Sequence, residues 1–156
     1  MDALYARFAG PGALAFDIGS HVGDRVGAFR RLGARVVAVE PQLDCAHVVR
    51  TLYGHDADVT VVEAACGRQP GRIVLHVNSA NPTVTTGSRE FIASANGAAG
   101  WEGQVWDREV EVEMTTLDEL IQRFGRPHFV KVDVEGFEDE VLAGLSRPLP
   151  ALSFEF

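Results

Sequence analysis

Acidic residues fall at or just after several apolar runs of this sequence, and their placement suggests a chemistry. The segment Asp17-Ile18-Gly19-Ser20-His21-Val22-Gly23 spaces one aspartate and two glycines across a turn. Glycine lets backbone N–H groups approach a ligand closely, and a helix N-terminus just beyond favours bound negative charge. The Gly-x-Gly-x-x-Gly fingerprint of dinucleotide sites is absent, and Asp17 stands where its first glycine would be. A carboxylate there repels a pyrophosphate but suits a cationic group, such as the ammonium of a methionine moiety. Glu40 follows a second apolar run and can accept both hydroxyls of a ribose. Glu63, Ala64 and Ala65 follow a third, where small residues leave room for an adenine ring. In Lys131-Val132-Asp133-Val134-Glu135-Gly136, two carboxylates flank the end of a further run. Asp133 or Glu135 could take the proton from an acceptor hydroxyl, or bind a divalent metal that does so.

Such residues need a scaffold that brings strand ends together. The run Ala13 to Ile18 reads as a buried parallel strand. Val22, Val26, Phe29 and Leu32 then recur at helical spacing, with Gly33 closing the helix. Arg35 to Val39 is a second strand, Pro41 fits the first turn of a helix over 42–53, and Val59 to Val62 is a third strand. This β-α-β-α-β order predicts a parallel sheet with right-handed crossovers and helices on both faces. Ligands of such sheets bind beyond the carboxyl ends of the strands, where Asp17, Glu40 and Glu63 fall.

The second half is less regular. Arg72 to Val77 and Glu109 to Met114 alternate like half-exposed strands. Between them, residues 78–107 lack a clean period, and a stretch that long predicts a lid or binding loop, with a short helix near Arg89 to Ser94. Thr116-Leu117-Asp118-Glu119 has the form of a capping box opening a helix striped by Leu117, Leu120, Ile121 and Phe124. A strand from His128 to Val132, a helix over 137–145 and a final strand over 151–156 complete the expectation of one domain spanning 1–156.

Composition narrows the partners. The chain has 156 residues, 46% of them hydrophobic and 23% charged, as in an ordinary soluble globular domain. A net charge of −8 without a basic block argues against nucleic acid. There is no targeting pattern and no run near the roughly 20 apolar residues of a membrane helix, so the expectation is a soluble cytoplasmic protein acting on a small molecule, with self-association left open. Cys45 and Cys66 lack metal spacing and read as reduced thiols, and no histidine–carboxylate spacing indicates a metal site. His55 reads as solvated and His128 as structural, while His47 and His76 show no evident partner.

Phe16 to Gly23, Val39-Glu40-Pro41, Thr116 to Leu120, and Val130 to Glu138 together resemble the FkbM family of methyltransferases. The Lys131-x-Asp133-x-Glu135-Gly136-x-Glu138 stretch is the most specific part. The resemblance implies a Rossmann-like class I methyltransferase fold with a mostly parallel, doubly wound sheet. It also implies S-adenosylmethionine as methyl donor and O-methylation of a hydroxyl on a sugar or natural product. On this reading Asp17 and the backbone of Gly19, Ser20, His21 and Gly23 hold the methionine end, Glu40 the ribose, and Glu63, Ala64 and Ala65 the adenine. Asp133, then Glu135, stands nearest the reacting centre. Two departures accompany it: the family usually carries asparagine at the position of His21, and its fold continues past the fifth core strand, so this chain is expected to lack the last strands. A nicotinamide-dependent oxidoreductase shares the fold and the acid after strand two, but Asp17 and the missing fingerprint count against it. A catalytically degenerate partner subunit on the same fold is the remaining alternative.

Overall fold

A computed structural model describes residues 2–154. Its centre is a five-stranded parallel sheet in the order β3 (Val59–Val62), β2 (Arg35–Val39), β1 (Leu14–Ile18), β7 (Phe129–Val132), β8 (Leu152–Phe154). The α/β, doubly wound expectation therefore holds. All five residues of β1 are buried, because a central parallel strand is covered on both faces.

Side-chain parity divides the core. Ala15, Val36, Ala38 and Phe129 face α1 (Asp2–Tyr5), α2 (Asp24–Arg31) and α3 (Leu43–Tyr53), packing with Tyr5, Val26, Phe29 and Val49. Phe16, Ile18, Val37, Val39, Val130 and Val132 face the other way, onto Leu117 and Leu120 of α5 (Leu117–Phe124) and Val141 of α6 (Glu138–Ala143). Register places Asp17 beside Lys131 on neighbouring strands, both on the α2 side.

A second, three-stranded sheet sits over the strand ends. There β4 (Ala65–Cys66) pairs parallel with β6 (Arg108–Thr115), and β5 (Gly71–Val77) pairs antiparallel with β6. The sequence alternation foretold two half-exposed strands but not their separation into a sheet of their own. Residues 78–107 leave β5 and return to β6. They contain a short 3₁₀ turn, Pro82–Val84, and α4 (Arg89–Ala95), where the Ser88 hydroxyl accepts from the Phe91 N–H at 3.0 Å. Phe91, Trp101 and Trp106 form the small core of this segment, with the two indoles stacked at 6.5 Å and Phe91 edge-on to Trp101 at 5.2 Å.

Several boundaries differ from expectation. α2 starts at Asp24, because Gly23 takes the left-handed cap position and Val22 belongs to the preceding turn. Pro41 lies before the helix: Gln42 is the cap of α3. Only half of the expected capping box forms. The Thr116 hydroxyl accepts from the Glu119 N–H at 3.1 Å, but the Glu119 carboxylate accepts from the Thr115 hydroxyl at 2.8 Å instead. His76 does find a partner, Glu109 directly across the β5–β6 pair at 3.3 Å. The His128 ring is structural, its Nδ1 accepting from the Leu14 N–H at 3.1 Å. Of the strand expected over 151–156, the last two residues lie outside the described ones. Among the described residues no helix is long and apolar enough to cross a membrane.

Candidate active site

Two adjoining cavities open at the carboxyl ends of β1, β2 and β7, and they share Gly19, His21, Thr83, Asp133 and Glu135. The first is mainly apolar, lying between the parallel sheet and the small one, with Val39, Ala64, Ala65, Cys66, Ile73 and Phe137 in its wall. Glu40 is its one buried acid. The second is polar and includes Ser20, Asp24, Arg25 and Lys131.

Glu40 is held by the turns on either side of it. The His21 N–H donates to Oε2 at 2.8 Å and the Gln42 N–H to Oε1 at 2.9 Å. Burial pushes its carboxyl above the usual glutamate range, against the pull of those two N–H groups. Each carboxylate oxygen has a lone pair left for a further donor. Gly19, at φ +74°, lies so close to the end of β7 that a Cβ there would overlap the carbonyl oxygen of Asp133. Only glycine permits that approach, and it brings the first loop against the catalytic-strand candidates.

His21 (φ 47°) and Glu135 (φ 52°) hold left-handed backbone conformations. Such residues cost on the order of 1 kcal/mol and collect at functional sites. The geometry also explains the departure at His21, since asparagine and histidine are both enriched in that region. Glu135 is held by the Thr86 hydroxyl, which donates to its carbonyl at 2.6 Å. A Cβ at Gly136 would strike the Phe91 ring, so the 78–107 segment rests directly on this turn.

Beneath the site is a buried charge cluster. Lys131 Nζ donates to the Gly19 carbonyl at 3.0 Å and lies 3.3 Å from Asp17 Oδ1 and 3.2 Å from Asp133 Oδ2. Burial opposes the lysine's charge, but the two carboxylates outweigh it and hold its pKa above the ordinary lysine value. Burial pushes Asp17 upward, while Lys131 pulls it back.

The structure brings together Gly19, Ser20, His21, Glu40, Ala64, Ala65, Asp133 and Glu135. It does not bring Asp17, Gly23 or Glu63 to a cavity wall. Asp17 is wholly buried with Lys131 as counter-charge. Gly23 caps α2, and Glu63 turns outward to pair with Arg50. A charged residue inside an apolar strand was the available signal for Lys131, whereas nothing in the sequence pointed to Arg25. Burial pushes the Cys66 thiol up to about 12, so it stays protonated as an apolar part of the wall. Among the described residues no group of three or more His, Cys, Asp or Glu could hold a metal ion.

A parallel sheet with crossover helices, an acid after β2 and a glycine turn after β1 fit a Rossmann-like methyltransferase fold. The chain belongs to the methyltransferase FkbM domain family, which it matches over residues 17–155. That membership sets aside the oxidoreductase reading. No curated protein matches the chain. Among solved structures, a proposed rRNA-methylase from Clostridium thermocellum overlaps it at 14% identity and a TM-score of 0.38, across 41% of this chain and 38% of that one. The chain thus spans well under half the length of that protein.

Proposed function

We propose that this domain is an S-adenosylmethionine-dependent O-methyltransferase acting on a hydroxyl of a sugar or natural-product small molecule. The observation that supports it most is Glu40, a buried carboxylate fixed by two backbone N–H groups in the wall of a mainly apolar cavity. A mainly apolar cavity wall with an oriented double acceptor suits a nucleoside, with its base on Ala64, Ala65 and Val39 and its ribose on Glu40. S-adenosylmethionine, when bound, supplies a methyl group carried on a positively charged sulfur. The glycine approach at Gly19 fits the same ligand, because it leaves backbone rather than side chain at the junction of the two cavities.

Asp133 and Glu135 lie on that junction. In this reading Asp133 accepts the proton of the acceptor hydroxyl, and Glu135 orients the acceptor from the turn that Thr86 secures. Holding the acceptor in line contributes most of the acceleration, with proton removal adding to it. The lid over 78–107 covers the acceptor and excludes water. The net charge of −8 suits a small neutral acceptor in the cytoplasm better than a nucleic acid.

Isothermal titration with S-adenosylmethionine tests the reading. Micromolar binding that Glu40→Ala weakens, with methyl transfer to a hydroxylated acceptor that Asp133→Asn suppresses, is the expected result. A well-folded chain that binds no S-adenosylmethionine overturns it.

A further inference from the structure

The polar cavity has a division of charge that the nucleoside does not account for. Three acids, Asp24, Asp133 and Glu135, line it, and among the described residues Lys131 and Arg25 are its lysine and arginine. Lys131 is already committed. Its three N–H donors face three oxygens, those of Gly19, Asp17 and Asp133. Arg25 has no hydrogen-bond or ion-pair partner among the described residues, although it lies near enough to Asp17 to feel its charge. Beside it is a second unmet group. Ser20 is 4% exposed, lines the cavity, and its buried hydroxyl has no hydrogen-bond partner. A third lies between them: α2 begins here with Gly23 as its cap, so no side chain caps its first-turn N–H groups. An unpaired guanidinium, an unpartnered hydroxyl and an uncapped helix start together form an anion-binding corner in an acidic cavity. The ligand that satisfies such a wall is a zwitterion.

We propose that Arg25 and Ser20 form the carboxylate subsite for the amino-acid end of the cofactor. The inference rests on the cofactor reading above. It also changes the role of Asp17, whose opposite charge is Lys131, built into the neighbouring strand. Asp17 and Lys131 fix the floor of the subsite, and Arg25 and Ser20 recognise the ligand.

Two nucleosides separate this subsite from the rest of the cavity. S-adenosylhomocysteine carries the amino-acid end, and 5′-methylthioadenosine has the same adenosine and sulfur without it. Titration of the whole chain with each is compared with the Arg25→Met and Ser20→Ala variants. Arg25 is only half-buried, and methionine preserves its aliphatic stem, so the variant is expected to fold. Thermal unfolding checks this, and Ser20→Ala provides an independent variant. Arg25→Met should weaken S-adenosylhomocysteine by about tenfold or more, and Ser20→Ala by about threefold, while 5′-methylthioadenosine stays within about twofold in both. Equal weakening of both nucleosides overturns the subsite and makes Arg25 a support of the loop. Unchanged affinity for S-adenosylhomocysteine in both variants also overturns it, while leaving the cofactor reading intact. A wild-type chain that binds neither nucleoside overturns both.

Discussion

The floor of the site and its cover are built by different physics. The floor belongs to the parallel sheet: β1, β2 and β7 are buried throughout, apart from Arg35 at the start of β2, and Asp17, Lys131 and Glu40 are locked by charge and backbone hydrogen bonds. The cover belongs to the small sheet and residues 78–107. There a few rings, the Thr86 hydroxyl and exposed ion pairs supply the order. A cofactor that must always bind the same way suits the first construction. On the proposed function, an acceptor pocket suits the second, where loss of one contact costs little.

That contrast can be broken first at Lys131. Lys131→Met strands the buried Asp17 carboxylate without its counter-charge and should cost about 3–5 kcal/mol, read as a lower denaturant midpoint. The double variant with Asp17→Leu should recover part of it. A loss under about 1 kcal/mol would mean that the floor is not held by this pair. Next comes Glu40→Ala, which should weaken S-adenosylhomocysteine by about ten- to a hundredfold through the lost charged hydrogen bonds.

The same residue gives the pH dependence. Burial raises its carboxyl above the usual glutamate value, so on the proposed function ribose and proton compete for it at a higher pH than they would at an exposed glutamate. Nucleoside affinity should fall as pH is lowered, with a midpoint above 4.5 that disappears in Glu40→Ala. For the unliganded chain the sign is opposite. A raised folded-state pKa stabilises below the unfolded value and loses that stabilisation as pH rises through the folded one.

The cover should respond more weakly and to a different ligand. Trp106→Phe removes the indole N–H donated to the Val84 carbonyl at 2.9 Å, a loss of about 1 kcal/mol. It should raise the acceptor KM without changing nucleoside affinity; a large change in nucleoside affinity would erase the proposed division. Smallest of all is Arg72→Ala on the outer face of the small sheet. Its pairs with Glu111 and Glu113, at 3.2 Å each, are exposed, and the thermal midpoint should barely move.

The legible parts of the molecule were those where a local rule acts alone. Apolar runs cut off by an acid and a glycine or proline marked β1, β2 and β3, because a buried strand must be apolar and a crossover must turn. Glu40 was visible as the acid after β2, and Asp133 as the acid after β7. The features that the structure placed differently depend on neighbours distant in the chain. Asp17 read as a ligand contact because sequence shows its type and spacing but not that Lys131 lies beside it in register. Glu63 read as part of the adenine border because its partner Arg50 approaches from another element. The capping box gave up one of its two bonds because the Thr115 hydroxyl took the Glu119 carboxylate.

The sequence by itself determined the family, the order of strands and helices, and the set of acids near the strand ends, since periodicity, turn chemistry and short motifs are local. Only the tertiary structure decided which of those acids line a cavity. Strand register chose the counter-charge of Asp17, and packing of the small sheet over the large one enclosed the apolar cavity. The start of α2 at Asp24 left Arg25 unpaired beside Ser20. Charge pairing and enclosure are properties of residues far apart in the chain, and folding alone brings them together.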